Sequence, residues 1–187
     1  GIATGFSHTT ADGLRFAADA RVMWQHVAGD RDVTTNSGSP HPSATARSLM
    51  EVVKYNRLTT AASYSWELLR NLSPPYALDA SYYLDTDEKA YADADIMDAA
   101  IQIVKRQQPD FCFIYIEGVD QAGHAFGWMS EPYLAAVQKA DQAIGMLLEA
   151  LAESGLNEEY TIIVQSDHGG DGHHHLQPVE NVIFIPW

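Results

Sequence analysis

A chain of 187 residues is long enough for one domain with a hydrophobic core, and 46% apolar residues is ordinary for a globular protein. The formal net charge of −14 argues against a nucleic-acid-binding surface. No apolar run approaches the length of a membrane span, and the single cysteine excludes a disulfide framework.

Taken in order, residues 1–42 are the least periodic. A helix is expected over about 12–27, and the Asn, Ser, Gly and Pro content of 29–42 reads as a loop. Ser43 or Thr45 is expected to cap a helix through Tyr55, and 58–63 (LTTAAS) fits a short strand. A further helix begins at 66–69 and is stopped by Pro74 and Pro75. Tyr82 and Tyr83 are expected in a loop. The acidic stretch 85–98 reads as a solvated loop and helix face. The helix expected over about 89–108 turns Met97, Ala100, Ile101 and Val104 inward.

Pro109 ends that helix, and 111–116 (FCFIYI) follows as a buried strand, with Cys112 as a small core hydrophobe. Ser130 is the expected N-cap of the clearest helix in the chain, with Pro132 in its first turn and Gly155 as its stop. Its apolar face reads as Leu134, Val137, Ile144, Leu148 and Leu151, with Asp141 as a satisfied buried carboxylate. A second core strand is expected at 160–164 (YTIIV), and another apolar run at 182–185. Strand, helix, strand in this order implies parallel pairing with helices on both faces of the sheet. One α/β domain is expected over 1–187, with an irregular part at 1–42 and the core at 43–187. The opening Gly1-Ile2 and the stop at Trp187 give the expectation of a fragment cut at both ends.

Each of the two core strands is followed by a paired Asp and His. The first pair is Asp120 and His124, expected in a loop that folds back at Gly123. The second is Asp167 and His168, re-aimed by the turn at Gly169 and Gly170. His173, His174 and His175 follow at once. Carboxylate oxygen and imidazole nitrogen are the ligands of zinc and similar divalent ions. The carboxyl ends of parallel strands are where open α/β sheets form their crevice. Five or six such ligands exceed one tetrahedral site and suit two metals, the arrangement used in phosphoryl chemistry.

Three stretches carry a family resemblance: Y-I-E-G-V-D-Q-A-G-H at 115–124, E-P-Y-L and A-D-Q-A-I-G-M-L-L at 131–134 and 140–148, and I-I-V-Q-S-D-H-G-G at 162–170. The chain resembles the alkaline phosphatase superfamily, most closely its type I phosphodiesterase/nucleotide pyrophosphatase branch, from about residue 43 onward. The resemblance implies a three-layer α/β/α sandwich with a mostly parallel sheet, and a metal-dependent hydrolase of phosphoric esters. It implies two divalent ions, zinc by preference with manganese or magnesium as alternatives. Asp120, His124 and a third His would hold one ion, and Asp167 and His168 the other. Counting along D-H-G-G-x-G-x-x-H selects His175, leaving His173 and His174 as loop residues; Leu176 stands where the family has Gly.

The family's first-strand Asp and its Thr or Ser nucleophile have no counterpart among the motifs. Thr9, Thr10, Thr34 and Thr35 lack the strand-to-helix context. The expected partner is a small phosphate ester or nucleotide, and the family points to an extracytoplasmic location. Two other readings stay open. One is another hydrolase or transferase of the superfamily: a phosphomonoesterase, phosphonate hydrolase, phosphomutase or sulfatase. The other is a non-catalytic metal-binding or interaction domain.

Overall fold

The computed structural model describes residues 5–9, 15–19, 48–72, 75–84, 92–177 and 179–185. The chain divides into two compact units, Gly1–Thr60 with Leu68–Asp79, and Ala61–Glu67 with Ala80–Trp187.

In the first unit, β1 (Gly5–Thr9) and β2 (Arg15–Asp19) pair antiparallel, Gly5 opposite Asp19 and Thr9 opposite Arg15. A strand therefore occupies 15–19, where a helix was expected; cross-strand pairing overrides a weak local helical signal. The rest of that expected helix, the loop 29–42 and the candidate caps Ser43 and Thr45 lie outside the described residues. Helix α1 (Leu49–Tyr55) is capped instead by Ser48. Ser48 Oγ accepts from Glu51 N at 3.2 Å, and Glu51 accepts from Ser48 N at 2.9 Å, a reciprocal capping box. A 3₁₀ turn at Glu67–Leu72 replaces the expected helix there. Asp79 anchors the end of this unit: it accepts from Thr60 N at 2.8 Å and pairs with Lys54 Nζ at 2.6 Å.

The second unit is mixed α/β. Its sheet has the order β4-β3-β5, where β3 is Thr60–Tyr64, β4 is Ala80–Tyr83 and β5 is Phe111–Ile114. β3 and β4 are parallel, with Ala61 opposite Ala80 and Tyr64 opposite Tyr83. Tyr82 and Tyr83 thus belong to a strand, not a loop, as suits aromatic residues on a pleated surface. Ser63 Oγ, fully buried, donates to Ile96 O at 2.6 Å and ties the central strand to α2 (Asp93–Gln107). The inward face of α2 is the expected one, with Met97, Ala100, Ile101 and Val104 all buried.

Helix α4 (Glu131–Glu153) follows α3 (Gly118–Phe126), and its N-cap is the expected Ser130, whose Oγ accepts from Tyr133 N at 3.3 Å. Its buried face is different from the expected one. Ala136, Ala143, Leu147, Ala150 and Leu151 face inward, while Leu134, Val137, Leu148 and Asp141 are exposed. Apolar residues line this helix nearly all round, so bulk did not select the face. Small alanines did, because they let α2 and α3 approach closely. Asp141 therefore needs no buried partner. Met97, Ile101 and Val104 of α2 meet Ala143, Leu147, Ala150 and Leu151 of α4, with Cys112, Ile114 and Tyr160 packed against them.

Past α4 the expected strand 160–164 is not formed. The segment has no ladder partner among the described residues, and Ile163 and Val164 are 50% and 54% exposed. Only Tyr160 is anchored, its hydroxyl donating to Pro109 O at 3.0 Å. The run at 182–185 is likewise not a strand: α5 (Glu180–Ile183) turns Val182 inward and leaves Ile183 and Phe184 exposed.

Candidate metal centre

β5 leads directly into α3, which carries Asp120 and His124. They lie on a helix rather than in a loop, so the four-residue spacing puts both side chains on one face without any fold-back. The helix start is held from outside. Glu117, its N-cap, makes no side-chain cap bond, and Asp93 Oδ1 accepts from Gly118 N at 3.0 Å. Asp93 is 8% exposed, which corrects the reading of 85–98 as wholly solvated. A Cβ on Gly118 would sit 2.5 Å from Asp93 Oδ2, so glycine is needed for this close approach. Burial holds the Asp93 carboxyl above the usual carboxylate range, although the Gly118 and Glu117 amides pull the other way.

The segment 166–175 brings the remaining residues. Ser166 Oγ donates to His168 O at 2.6 Å, and Asp167 Oδ1 accepts from His168 N at 3.0 Å. Gly169 N donates to Val182 O at 2.9 Å, and a Cβ there would meet Asn181 O, so the α5 backbone requires a glycine. Gly170 and Gly123 both lie under the indole of Trp128, which sits between α3 and this segment.

The donors meet at Asp120. Its Oδ2 is 3.6 Å from His124 Nε2; its Oδ1 is 4.0 Å from His168 Nε2 and 3.8 Å from His175 Nε2. His168 Nε2 is also 3.5 Å from Asp167 Oδ2. Asp120, His124 and His175 offer ligand atoms all within 4.8 Å of one another. His168 and His175 stack, with ring centroids 3.8 Å apart and 21° between planes. Burial, and then the neighbouring His168, hold the His175 imidazole below its ordinary pKa, which favours the neutral form that binds metals. Thus all five expected residues share one locality, and the three histidines converge on one carboxylate.

His124 Nδ1 lies 2.8 Å from His173 O, and His168 Nδ1 lies 2.8 Å from Gly169 O. A carbonyl oxygen only accepts, so both rings donate from Nδ1, and in the neutral ring this leaves a lone pair at Nε2. Asp120 Oδ1 is buried with no hydrogen-bond partner. His168 Nε2 and His175 Nε2 both approach that oxygen, and a neutral imidazole lone pair beside a carboxylate oxygen is unfavourable until a cation stands between them. Tetrahedral zinc with bonds near 2.0–2.2 Å separates its ligand atoms by roughly 3.3–3.6 Å, close to the spacings here. The residues fit a divalent ion. Tyr115, stacked on Trp66, shows the same acidity of field: burial, followed by Asp167, Glu117, Asp120 and Asp93, drives its phenol pKa upward.

Two residues of this locality escaped the sequence reading: Asp93, hidden in an acidic run, and Trp128, which carries no ligand chemistry. His173 was read as a loop residue and lies in the turn at 172–173, but its bond to His124 was not foreseen.

A family model described as type I phosphodiesterase / nucleotide pyrophosphatase matches residues 6–184. The chain is 32% identical over 114 residues to a venom phosphodiesterase of Naja atra, covering 58% of this chain and 13% of that protein. It is 41% identical over 71 residues to ectonucleotide pyrophosphatase/phosphodiesterase family member 3 of Mus musculus, covering 38% of this chain and 8% of that protein. A solved structure of inactive murine ectonucleotide pyrophosphatase/phosphodiesterase 5 in complex with AMP superposes with a TM-score of 0.50 at 24% identity. That match covers 64% of this chain and 31% of that one, and shows the alkaline phosphatase-like fold. The chain spans only 8–13% of the length of the two curated relatives named.

Proposed function

The chain belongs to the type I phosphodiesterase/nucleotide pyrophosphatase family of the alkaline phosphatase superfamily, and from that premise we propose that it supplies the metal-holding part of a phosphoric-ester hydrolase. The convergence of His124, His168 and His175 on Asp120 carries the reading. Asp120, His124 and His175 would hold one divalent ion, and Asp167 with His168 a second, zinc by ligand type. Such ions supply charge stabilisation for phosphoryl oxygens and for an attacking hydroxyl.

The chain's own residues do the positioning. α3 presents Asp120 and His124 from one helical face, and the bond from Gly169 N to Val182 O holds the backbone just past His168. Carbonyl oxygens fix the protonated nitrogens of His124 and His168. The attacking hydroxyl is not assigned to a residue of the chain: Thr9, Thr10, Thr34 and Thr35 lack the strand-to-helix sequence context of the family's nucleophile. The substrate class is a nucleotide or related phosphate diester, in keeping with the family's description. The venom and ectoenzyme names of the relatives support an extracytoplasmic location.

Two measurements test this. Calorimetric titration of the chain with Zn²⁺ should show binding that Asp120→Asn weakens by at least about tenfold; equal affinities would remove Asp120 from the site. A longer polypeptide carrying 1–187 should hydrolyse bis-p-nitrophenyl phosphate in a chelator-sensitive way, and the 187-residue chain poorly. Zinc binding without turnover in the longer polypeptide would favour an interaction domain.

A further inference from the structure

His173 is not among the ligand group Asp120, His124 and His175, yet it is bonded to one of its members. Its Nδ1 lies 3.0 Å from His124 O, while His124 Nδ1 lies 2.8 Å from His173 O. Each ring donates to the other residue's carbonyl, a reciprocal pair across 49 residues of sequence. A third bond runs alongside, Trp128 N donating to Gly172 O at 2.7 Å. The segment bearing these carbonyls is itself closed: Asp171 N donates to His174 O at 2.8 Å and His174 N to Asp171 O at 3.0 Å. Gly172 stands at the first central position of that two-residue turn with φ +58°, the place where a primed turn reserves a glycine. His173 Nε2 packs 3.5 Å from where a Cβ of Gly127 would lie, and Gly127 itself has φ +90°.

We propose that His173 is a positioning residue: its ring and that of His124 form a clasp that holds His124 in the Nδ1–H tautomer and aims Nε2 at Asp120. The proposal rests on the metal-centre reading. His124 is 43% exposed at its side chain, so packing alone does not fix its ring. A half-turn about χ2 would forfeit the bond to His173 O and carry Nε2 away from Asp120 Oδ2. The His173 ring supplies the second fastening, pinning its own carbonyl over His124 Nδ1. This is the carbonyl–histidine support that metal sites use, with the carbonyl itself held in place by the histidine it serves.

The test uses the metal-free chain at a pH above the imidazole range, with long-range ¹H–¹⁵N correlation spectra of the imidazoles. The wild type and His174→Ala should show His124 as a single Nδ1–H tautomer. His173→Ala should show a tautomer mixture, with Zn²⁺ affinity lowered by about tenfold. His173→Asn, whose side-chain amide can donate to His124 O, should restore both. A merely structural residue would lower the melting temperature and leave the tautomer unchanged. An unmixed Nδ1–H signal in His173→Ala with Zn²⁺ affinity within twofold of wild type would overturn the clasp. So would equal effects of His173→Ala and His174→Ala. A wild-type chain with no Zn²⁺ affinity but a tautomer that depends on His173 would uphold the clasp and overturn the metal-centre reading.

Discussion

Removing the Asp93 carboxylate should loosen the start of α3, and the size and pH dependence of the loss follow from its surroundings. Asp93 accepts from Gly118 N at 3.0 Å and is 8% exposed. Asp93→Ala leaves that buried amide without an acceptor, a loss of about 1–3 kcal/mol. In a chain of this size each kcal/mol lowers the melting temperature by roughly 2–4 °C. Asp93→Asn keeps one acceptor oxygen and removes the buried charge, so its loss should be smaller. The pH dependence separates the two contributions. Burial raises the folded-state pKa above the ordinary value of 3.8. The folded chain therefore binds this proton more tightly than the unfolded chain. The stability Asp93 contributes is full below the ordinary value and falls as pH rises through the raised one. Asp93→Asn has no such slope. Melting curves by circular dichroism from pH 4 to 8 should show the stability of Asp93→Asn, relative to wild type, climbing and then levelling off. A relative stability that declines with pH, or Asn and Ala variants that melt together throughout, would refute the reasoning.

Gly170→Ala would drive its Cβ into the Trp128 ring, and chemical denaturation should register a loss of about 1–3 kcal/mol; an unchanged midpoint would mean that the indole is free to move aside. Burial pushes the Cys112 thiol up to about 11, so iodoacetamide at pH 7.5 should leave the folded chain unlabelled and modify it only in denaturant; rapid stoichiometric labelling of the native chain would contradict that burial.

The sequence made the local features legible and the long-range ones obscure. The inward face of α2, the Ser130 cap and the residue types of the candidate metal centre were all readable from short spacing rules. The face of α4 was not, because a helix apolar on most sides carries no single period. The segment 160–164 looked like a buried strand by composition, but strand formation needs a neighbour, which a pattern cannot supply. Asp120 and His124 were identified as a pair while their helix was missed. The tethers of the centre were invisible for the same reason: Asp93 reaches Gly118 across 25 residues, and His173 reaches His124 across 49.

The unpaired segment 160–165 has a colloidal consequence. Its sequence, Tyr-Thr-Ile-Ile-Val-Gln, opens with five residues of high β-propensity and holds no charge and no proline, and its backbone meets no ladder among the described residues. An extended apolar stretch in that state is a template for another chain to add a strand. Glu158 and Glu159 precede it and Asp167 follows it, flanking acids of the kind that keep such segments apart by repulsion. Those three flanking acids thus act as protection against self-association. Acidification or high salt, by neutralising or screening those flanking acids, is where the isolated chain should first turn cloudy.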